Sequence, residues 1–227
     1  MVQEQKKRQV FGGGSILADK WIITSRHVAY CEDFLEYTDT EFSGKIYENQ
    51  LRIAPNYDNT LLGLRKGTKY GVEKRFCYPK VNRKTDFVLL KLTQPIPLDG
   101  DGSEKFSAIP MIDPSRNDEV KSIIAAGWGA NNGANGIPSE YLMQTELNMI
   151  NKDDEWFIAT GNNTSICFGD SGGPGVIRNN QTSTDELIGI AAYVTHRLCK
   201  LVSSLQQHAD DIFLIFSYQL INYLTPI

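Results

Sequence analysis

The sequence lacks several features that would assign a protein class at once. No apolar run in its 227 residues approaches the roughly 20 residues that a membrane-spanning helix needs. Its 23 Lys and Arg nearly balance 27 Asp and Glu, and a formal net charge of −4 argues against a general nucleic-acid binder. The four cysteines include no C-x-x-C pair, so zinc ribbons and thioredoxin-type sites are poorly supported. These absences leave a soluble globular protein as the expectation.

The first ten residues lack an apolar stretch and carry the basic cluster 6–8. A secretory signal is therefore not expected within this sequence. An even set of cysteines nevertheless suits two disulfides in an oxidising compartment. The two expectations conflict, and the sequence alone does not resolve them.

Short segments rich in β-branched and aromatic residues dominate the chain and alternate with turn signals. They are too short for stable helices and predict the strands of an all-β sandwich or barrel. The clearest segments are 15–18, 21–24, 87–92, 122–126, 187–194 and 212–216. Near the end, Leu220, Ile221 and Leu224 follow Ser217 at helical spacing, which predicts a short C-terminal helix.

The stretch 93–118 interrupts this pattern with four prolines, Pro95, Pro97, Pro110 and Pro114, and with a turn-like Asp-Gly-Asp-Gly run. Prolines and glycines at this density mark turns and loops rather than strand interiors. The stretch therefore predicts the connection between two lobes.

The strongest chemical signal is the block Gly-Asp-Ser-Gly-Gly-Pro at 169–174. A serine flanked by glycines suits a tight turn, where backbone N–H groups face an oxyanion and a substrate approaches closely. A bare Gly-Ser-Gly-Gly turn is usually only a turn, but the six-residue block is far more specific. It resembles the nucleophile motif of the trypsin/chymotrypsin family of serine proteases.

Further motifs resemble those of the same family and occur in the family's order. Residues 24–27, Thr-Ser-Arg-His, resemble the motif that carries the general base, and 12–17 resemble the Cys-Gly-Gly-Ser-Leu-Ile strand upstream of it. Residues 85–92 resemble the strand that carries the triad aspartate. Residues 126–129 resemble the opening of the second lobe, and 189–199 resemble the substrate-binding segment.

The resemblance extends over roughly residues 9–224 and implies a fold. The family has an all-β architecture of two six-stranded antiparallel barrels packed at right angles, with a short C-terminal helix. On this chain the resemblance implies a first lobe at 1–109 and a second lobe at 110–227.

The resemblance also implies a mechanism. A serine hydroxyl is a weak nucleophile near neutral pH and needs an adjacent base. His27 would take the proton of Ser171 and return it to the leaving amine, while Asp86 would fix the imidazole tautomer. The backbone N–H groups of Gly169 and Ser171 would hold the oxyanion. Taken singly, a histidine such as His27 or an aspartate such as Asp86 is more often non-catalytic. Only the ordered set of motifs assigns a catalytic role to the two residues.

The N-terminal region departs from the family pattern. Family members begin with a cleaved Ile-Val-Gly-Gly, whose new ammonium pairs with the aspartate beside the nucleophile, here Asp170. Only eleven residues precede Gly12, and no Ile-Val-Gly-Gly occurs. Either the chain lacks its true N-terminus, or the protein is held in a zymogen-like form. An Asp170 buried without its ammonium would be costly and would weaken the oxyanion loop.

The cysteines follow the family only in part. Cys167 and Cys199 correspond to the pair that braces the walls of the specificity pocket, so the resemblance implies that disulfide. Other family cysteine pairs are missing. Cys31 and Cys77 are left over, and they would either bridge each other or remain free buried thiols.

Five positions correspond to the family's substrate pocket: Ser165, Ala192, Tyr193, Val194 and Asp211. Serine at the floor position 165 suits large apolar side chains, where an aspartate would select Lys or Arg. Val194 in place of glycine would narrow the entrance, and Ala192 removes a hydroxyl that supports the triad aspartate in the family. A carboxylate at Asp211 could still attract a cationic side chain. The balance favours an apolar residue before the scissile bond.

These features together predict a secreted, monomeric serine endopeptidase that acts on peptides and proteins through an acyl-enzyme at Ser171. Protein inhibitors are further candidate partners; no cofactor, metal, nucleic acid or membrane is implied. The alternative is a non-catalytic serine protease homologue that serves as a binding or regulatory module. The intact triad argues against this alternative, whereas the missing N-terminal switch, Arg26 beside the base and Ala192 argue for it. A carbohydrate-binding or structural barrel has no supporting motif.

Overall fold

In the computed structural model the described residues are 2–4, 10–31, 51–53, 69–77, 86–98, 106–130, 139, 141–152, 156–162, 164–179, 182–194 and 211–215. Of these, 2–4, 10–11, 51–52, 193–194 and 211–215 are described by their backbone alone.

The described residues of the first half of the chain form one antiparallel sheet of seven strands. These are β1 (Val2–Glu4), β2 (Val10–Gly12), β3 (Ser15–Ala18), β4 (Trp21–Thr24), β5 (Leu51–Ile53), β6 (Tyr70–Cys77) and β7 (Val88–Leu92). Their order in the sheet is β2-β1-β5-β6-β7-β4-β3. A short helix, α1 (Arg26–Ala29), follows β4 directly.

The second half forms a closed barrel of six strands. These are β8 (Ser122–Gly127), β9 (Met143–Lys152), β10 (Trp156–Thr160), β11 (Pro174–Asn179), β12 (Thr184–Val194) and β13 (Asp211–Ile215). Around the barrel the order is β10-β13-β12-β11-β8-β9. A 3₁₀ helix at Pro114–Glu119 precedes β8, and the carboxylate of Asp113 accepts the Ser115 N–H at its start, 2.9 Å away.

The described elements confirm a mostly β protein with two sheets. The first sheet differs from the predicted six-stranded barrel, because the β1–β2 hairpin pairs with β5 and brings the number of strands to seven. The packing of the lobes at right angles and the boundary between 109 and 110 remain predictions. The C-terminal helix predicted at 217–224 lies outside the described residues.

The two sheets share an apolar core because β4 and β7 are buried on both faces. Successive side chains of a strand point to opposite sides. Ile22 and Leu90 therefore face the core of the first sheet, while Ile23 and Leu89 pack in a separate cluster with Ile190 of β12. That shared cluster places the end of β4, and α1 behind it, against β12.

Candidate active site

His27 lies in the first turn of α1 and is held there by Asp86. The side chain of Asp86 is almost fully buried, just before β7. Its Oδ2 lies 2.6 Å from the His27 ring Nδ1, and its Oδ1 accepts the His27 main-chain N–H at 3.0 Å. An ionised carboxylate only accepts hydrogen bonds, so Nδ1 carries the ring proton and Nε2 is left as the basic nitrogen. The carboxylate therefore fixes both the ring's orientation and its tautomer.

Opposing effects act on the pKa of His27. Burial lowers it, while the charge of Asp86 and the hydrogen bond to Asp86 raise it. The two effects of Asp86 together outweigh burial, so the pKa of His27 lies above its ordinary value of 6.5. The carboxylate thus stabilises the imidazolium that a general base becomes after it takes a proton.

The end of α1 is fastened to β6. Cys31 and Cys77 form a disulfide with a Cα–Cα separation of 6.1 Å. Beside it, Nη1 of Arg75 donates to the carbonyl oxygens of Ala29 and Tyr30, 2.6 Å from each. A guanidinium at the last carbonyls of a helix satisfies acceptors that have no intrahelical partner. Both contacts hold the helix that carries His27 against the strand next to β7.

Replacing Cys31 and Cys77 together with serine is expected to lower the free energy of unfolding by about 4 kcal/mol. The disulfide spans 46 positions of the chain, and a cross-link over a loop of that length restricts the unfolded state strongly. Denaturant unfolding of the double variant and of the unmodified protein measures the difference. Equal free energies of unfolding would contradict the expected contribution of this disulfide.

Ser171 stands on a turn that both sheets hold in place. Its carbonyl oxygen accepts the N–H of Gly13, the residue after β2, across 2.8 Å. The next residue, Gly172, donates its N–H to the carbonyl of Ala191 on β12 at 2.7 Å. The N–H of Ala191 in turn donates to the carbonyl of Gly173 at 2.8 Å. The main chain on either side of the Ser171 hydroxyl is therefore tied both to the sheet that carries His27 and to β12.

Two main-chain donors of this turn remain available. The N–H groups of Gly169 and Ser171 donate no hydrogen bond among the residues that the structure describes. Gly169 has a φ of +96°, a conformation that glycine adopts without steric cost. Two open N–H groups beside a serine hydroxyl are what a developing oxyanion requires. Within the same part of the chain, Ser171 makes no hydrogen bond to His27.

The carboxylate of Asp170, next to Ser171, accepts two main-chain hydrogen bonds. Its Oδ1 accepts the N–H of Gly129 at 2.7 Å, and its Oδ2 accepts the N–H of Cys167 at 2.9 Å. Burial raises the pKa of Asp170, and these two N–H bonds act in the opposite direction. A Cβ atom at Gly127 or Gly129 would overlap this carboxylate, which shows how closely the backbone encloses it.

Asp170 has no ion-pair partner in the described part of the chain. Its role as the partner of an activating ammonium therefore stays a prediction. What holds the carboxylate in place here is a pair of backbone N–H groups.

The predicted pocket residues lie on three segments. Ser165 is partly buried, and its hydroxyl donates to the carbonyl of Ile166 at 2.6 Å. Ala192 is buried in the core that the two sheets share. In the barrel, Val194 at the end of β12 lies directly opposite Asp211 at the start of β13, and Tyr193 lies opposite the next residue of β13. The register thus brings together two of the predicted pocket positions.

The second predicted disulfide is described only at one end. Cys167 is disulfide-bonded. Its predicted partner, Cys199, lies outside the described residues.

Two residues beside the site were not predicted from the sequence. Phe168 immediately precedes Gly169; it is 51% exposed, and its carbonyl accepts the N–H of Ala130 at 2.9 Å. An apolar residue directly before Gly169, the glycine predicted to donate to the oxyanion, was the available signal. The other is Ser25, whose hydroxyl donates to Ala191 at 2.9 Å, and no local pattern reveals that contact.

Among the described residues, no group of three or more His, Cys, Asp or Glu side chains is placed to hold a metal ion. No helix in that part of the chain is long and apolar enough to cross a bilayer.

The family of the chain follows from its sequence match and agrees with this geometry. The sequence model of the Trypsin family matches residues 1–201, a range that includes His27, Asp86 and Ser171. Within this range the buried carboxylate of Asp86 is paired with the imidazole of His27. The chain belongs to the trypsin family of serine proteases.

Proposed function

We propose that the chain is a serine endopeptidase that hydrolyses peptide bonds through an acyl-enzyme at Ser171. The observation that carries the proposal is the 2.6 Å contact between His27 Nδ1 and the buried Asp86 carboxylate, which leaves Nε2 as a base. The bond from Gly13 to the carbonyl of Ser171 supports it, because that bond ties the nucleophile's main chain to the sheet that holds the base.

The reaction proceeds in two halves. Ser171 Oγ attacks the carbonyl carbon of the scissile bond while its proton passes to Nε2 of His27, and the oxygen of the tetrahedral intermediate accepts the N–H groups of Gly169 and Ser171. The intermediate collapses, the C–N bond breaks, and His27 gives its proton to the leaving amine. A water molecule then attacks the ester with the same proton transfers, releasing the carboxylic acid and restoring the Ser171 hydroxyl.

The oxyanion donors and the Asp86 carboxylate make separate contributions. Removing one oxyanion donor typically costs about 2.7–4 kcal/mol of transition-state stabilisation. Asp86 acts through the imidazole, whose charged form it favours by charge and by hydrogen bonding.

Peptides and proteins with an apolar side chain before the scissile bond are the proposed substrates. A serine side chain carries no charge, so the proposed floor position lacks the carboxylate that would select Lys or Arg, and the Ser165 hydroxyl donates to the carbonyl of Ile166. The exposed ring of Phe168 adds apolar surface next to Gly169. The Asp211 carboxylate is the competing feature, and a preference for Lys or Arg would indicate that it governs selection.

Secretion is part of the same proposal. Disulfides persist in oxidising compartments and are rare in the cytosol. The Cys31–Cys77 bond and the disulfide at Cys167 therefore suit an extracellular protease.

A non-catalytic homologue is the second candidate, and one observation favours it. Ser171 and His27 share no hydrogen bond among the described residues. The catalytic hydrogen bond of such a pair is often long before substrate binds, so the first candidate remains the better supported.

A fluorophosphonate probe is expected to label the folded chain in a time-dependent reaction at a single site. Ser171 Oγ displaces fluoride from phosphorus while His27 takes the hydroxyl proton, so the reaction reports the base, the nucleophile and the oxyanion donors together. Intact-protein mass spectrometry measures the adduct. Ser171→Ala is the matched control; it should retain the unfolding transition of the parent and lose all labelling. A folded parent that stays unlabelled would overturn the endopeptidase and favour the non-catalytic homologue.

A further inference from the structure

Ser25 occupies the N-cap position of α1, but its hydroxyl does not cap the helix. Its backbone is extended, with φ −76° and ψ 146°, and it makes no side-chain cap hydrogen bond. A serine in this position normally accepts the N–H of the second or third helical residue. Here the N–H of the second residue, His27, goes to Oδ1 of Asp86 at 3.0 Å. The Asp86 carboxylate therefore caps this N–H in place of Ser25, and the Ser25 hydroxyl bonds to a different partner.

That partner lies on the other sheet. Ser25 is fully buried, and its Oγ donates to the carbonyl oxygen of Ala191 on β12, 166 positions along the chain, at 2.9 Å. The same carbonyl accepts the N–H of Gly172 at 2.7 Å. One oxygen atom therefore joins the residue two before His27 to the residue that follows Ser171.

The surroundings leave little room for this contact to rearrange. A Cβ atom at Gly172 would overlap Thr24 Oγ1 and would lie 2.9 Å from the Ser25 nitrogen. Thr24 Oγ1 also donates to the carbonyl of Gly13 at 2.7 Å, and the Gly13 N–H donates to the Ser171 carbonyl. The hydroxyls of Thr24 and Ser25 thus connect the segment before His27 to the nucleophile turn. Thr24 reaches Ser171 through Gly13, and Ser25 reaches Gly172 through the carbonyl of Ala191.

We infer that Ser25 is a positioning residue, which fixes the separation of the base and the nucleophile by holding the Ala191 carbonyl with its hydroxyl. The inference rests on the proposed function. Loss of the hydroxyl leaves the Ala191 carbonyl still bonded to Gly172, so no buried acceptor is orphaned and the fold should be little affected. Catalysis is more sensitive, because a misplacement of about 1 Å can cost on the order of a hundredfold in rate.

The test compares Ser25→Ala with Ser15→Ala. Ser15 is also buried, but within the described residues its hydroxyl has no hydrogen-bond partner, so the control removes the same atoms without removing a cross-sheet bond. The steady-state constants of each variant are measured on a peptide substrate, with the active-site concentration set by fluorophosphonate titration. We expect Ser25→Ala to lower kcat about tenfold to a hundredfold with KM nearly unchanged, and Ser15→Ala to leave both constants at parent values.

A second variant separates the effect of losing the hydrogen bond from the effect of losing side-chain volume. Ser25→Cys fills the site with a weak donor, so kcat should stay as low as in Ser25→Ala. A parent kcat in either folded Ser25 variant would overturn the inference, and Ser25→Cys carries the comparison if Ser25→Ala does not fold. A parent protein that neither labels nor cleaves would instead refute the proposed function, which keeps the two failures distinguishable.

Discussion

Asp86→Asn is expected to lower kcat/KM on the order of 10⁴-fold, the loss typical of this change in a Ser-His-Asp triad. Asp86 uses both carboxylate oxygens on His27, one for the main-chain N–H and one for the ring Nδ1. An amide has only one acceptor oxygen, and its NH₂ group would donate to Nδ1 and leave the ring proton on Nε2. The base would then be held in the wrong tautomer. The measurement is kcat/KM on a peptide substrate, normalised to titrated active sites.

The same variant should move the acid limb of the pH profile. In the proposed mechanism the neutral imidazole is the base, so activity is lost as the pH falls through the pKa of His27. In the parent that pKa lies above 6.5, because the charge and hydrogen bond of Asp86 outweigh burial. Asp86→Asn removes both raising effects and leaves burial, so the midpoint should shift to lower pH.

Asp113→Asn is the matched control, since it changes a fully exposed carboxylate at the start of the 3₁₀ helix. It should leave kcat/KM and the pH profile unchanged. An Asp86→Asn variant that keeps a tenth of the parent activity, or an unmoved acid limb, would contradict the role assigned to the carboxylate.

The candidate site could be located from the sequence because its chemistry lies in short, ordered motifs. The block at 169–174 and the segment 24–27 each specify a local backbone and a reactive side chain together. The strand predictions at 15–18, 21–24, 87–92 and 122–126 correspond to β3, β4, β7 and β8, whether one face or both faces of the strand are buried. The apolar run at 87–92 corresponds to β7, Val88–Leu92, whose two faces contact different cores.

Contacts between distant segments could not be predicted in the same way. Cys31 and Cys77 left two outcomes open, and only the pairing of β6 with β7, which sets Cys77 opposite Val88, brings the end of β6 to α1. Local rules assign Ser25 to a helix cap, but Asp86 displaces it from that role. Because Arg26 is charged, the sequence predicts it at the surface. It is instead among the largest fully buried side chains.

Gly172→Ala is expected to lower the free energy of unfolding by about 4 kcal/mol, roughly half from overpacking and half from backbone strain. Gly172 has a φ of +77°, which a Cβ atom disfavours. The added methyl would overlap Thr24 Oγ1 and would lie 2.8 Å from the Gly13 carbonyl oxygen, a main-chain atom that cannot rotate away. The strain would fall on the junction that holds the nucleophile turn, so fluorophosphonate labelling should be lost as well.

Gly169→Ala provides the comparison that separates the two causes. Gly169 also has a positive φ, +96°, but among the described residues a Cβ atom there would meet only the Gly129 Cα, at 3.4 Å. That distance is tight without being an overlap, so the substitution should cost the backbone strain alone, about 2 kcal/mol. Denaturant unfolding of both variants gives the two free energies. Equal losses would show that Thr24 and Gly172 are not closely packed. The segment before His27 could then shift relative to the Ser171 turn, which would contradict the positioning role inferred for Ser25.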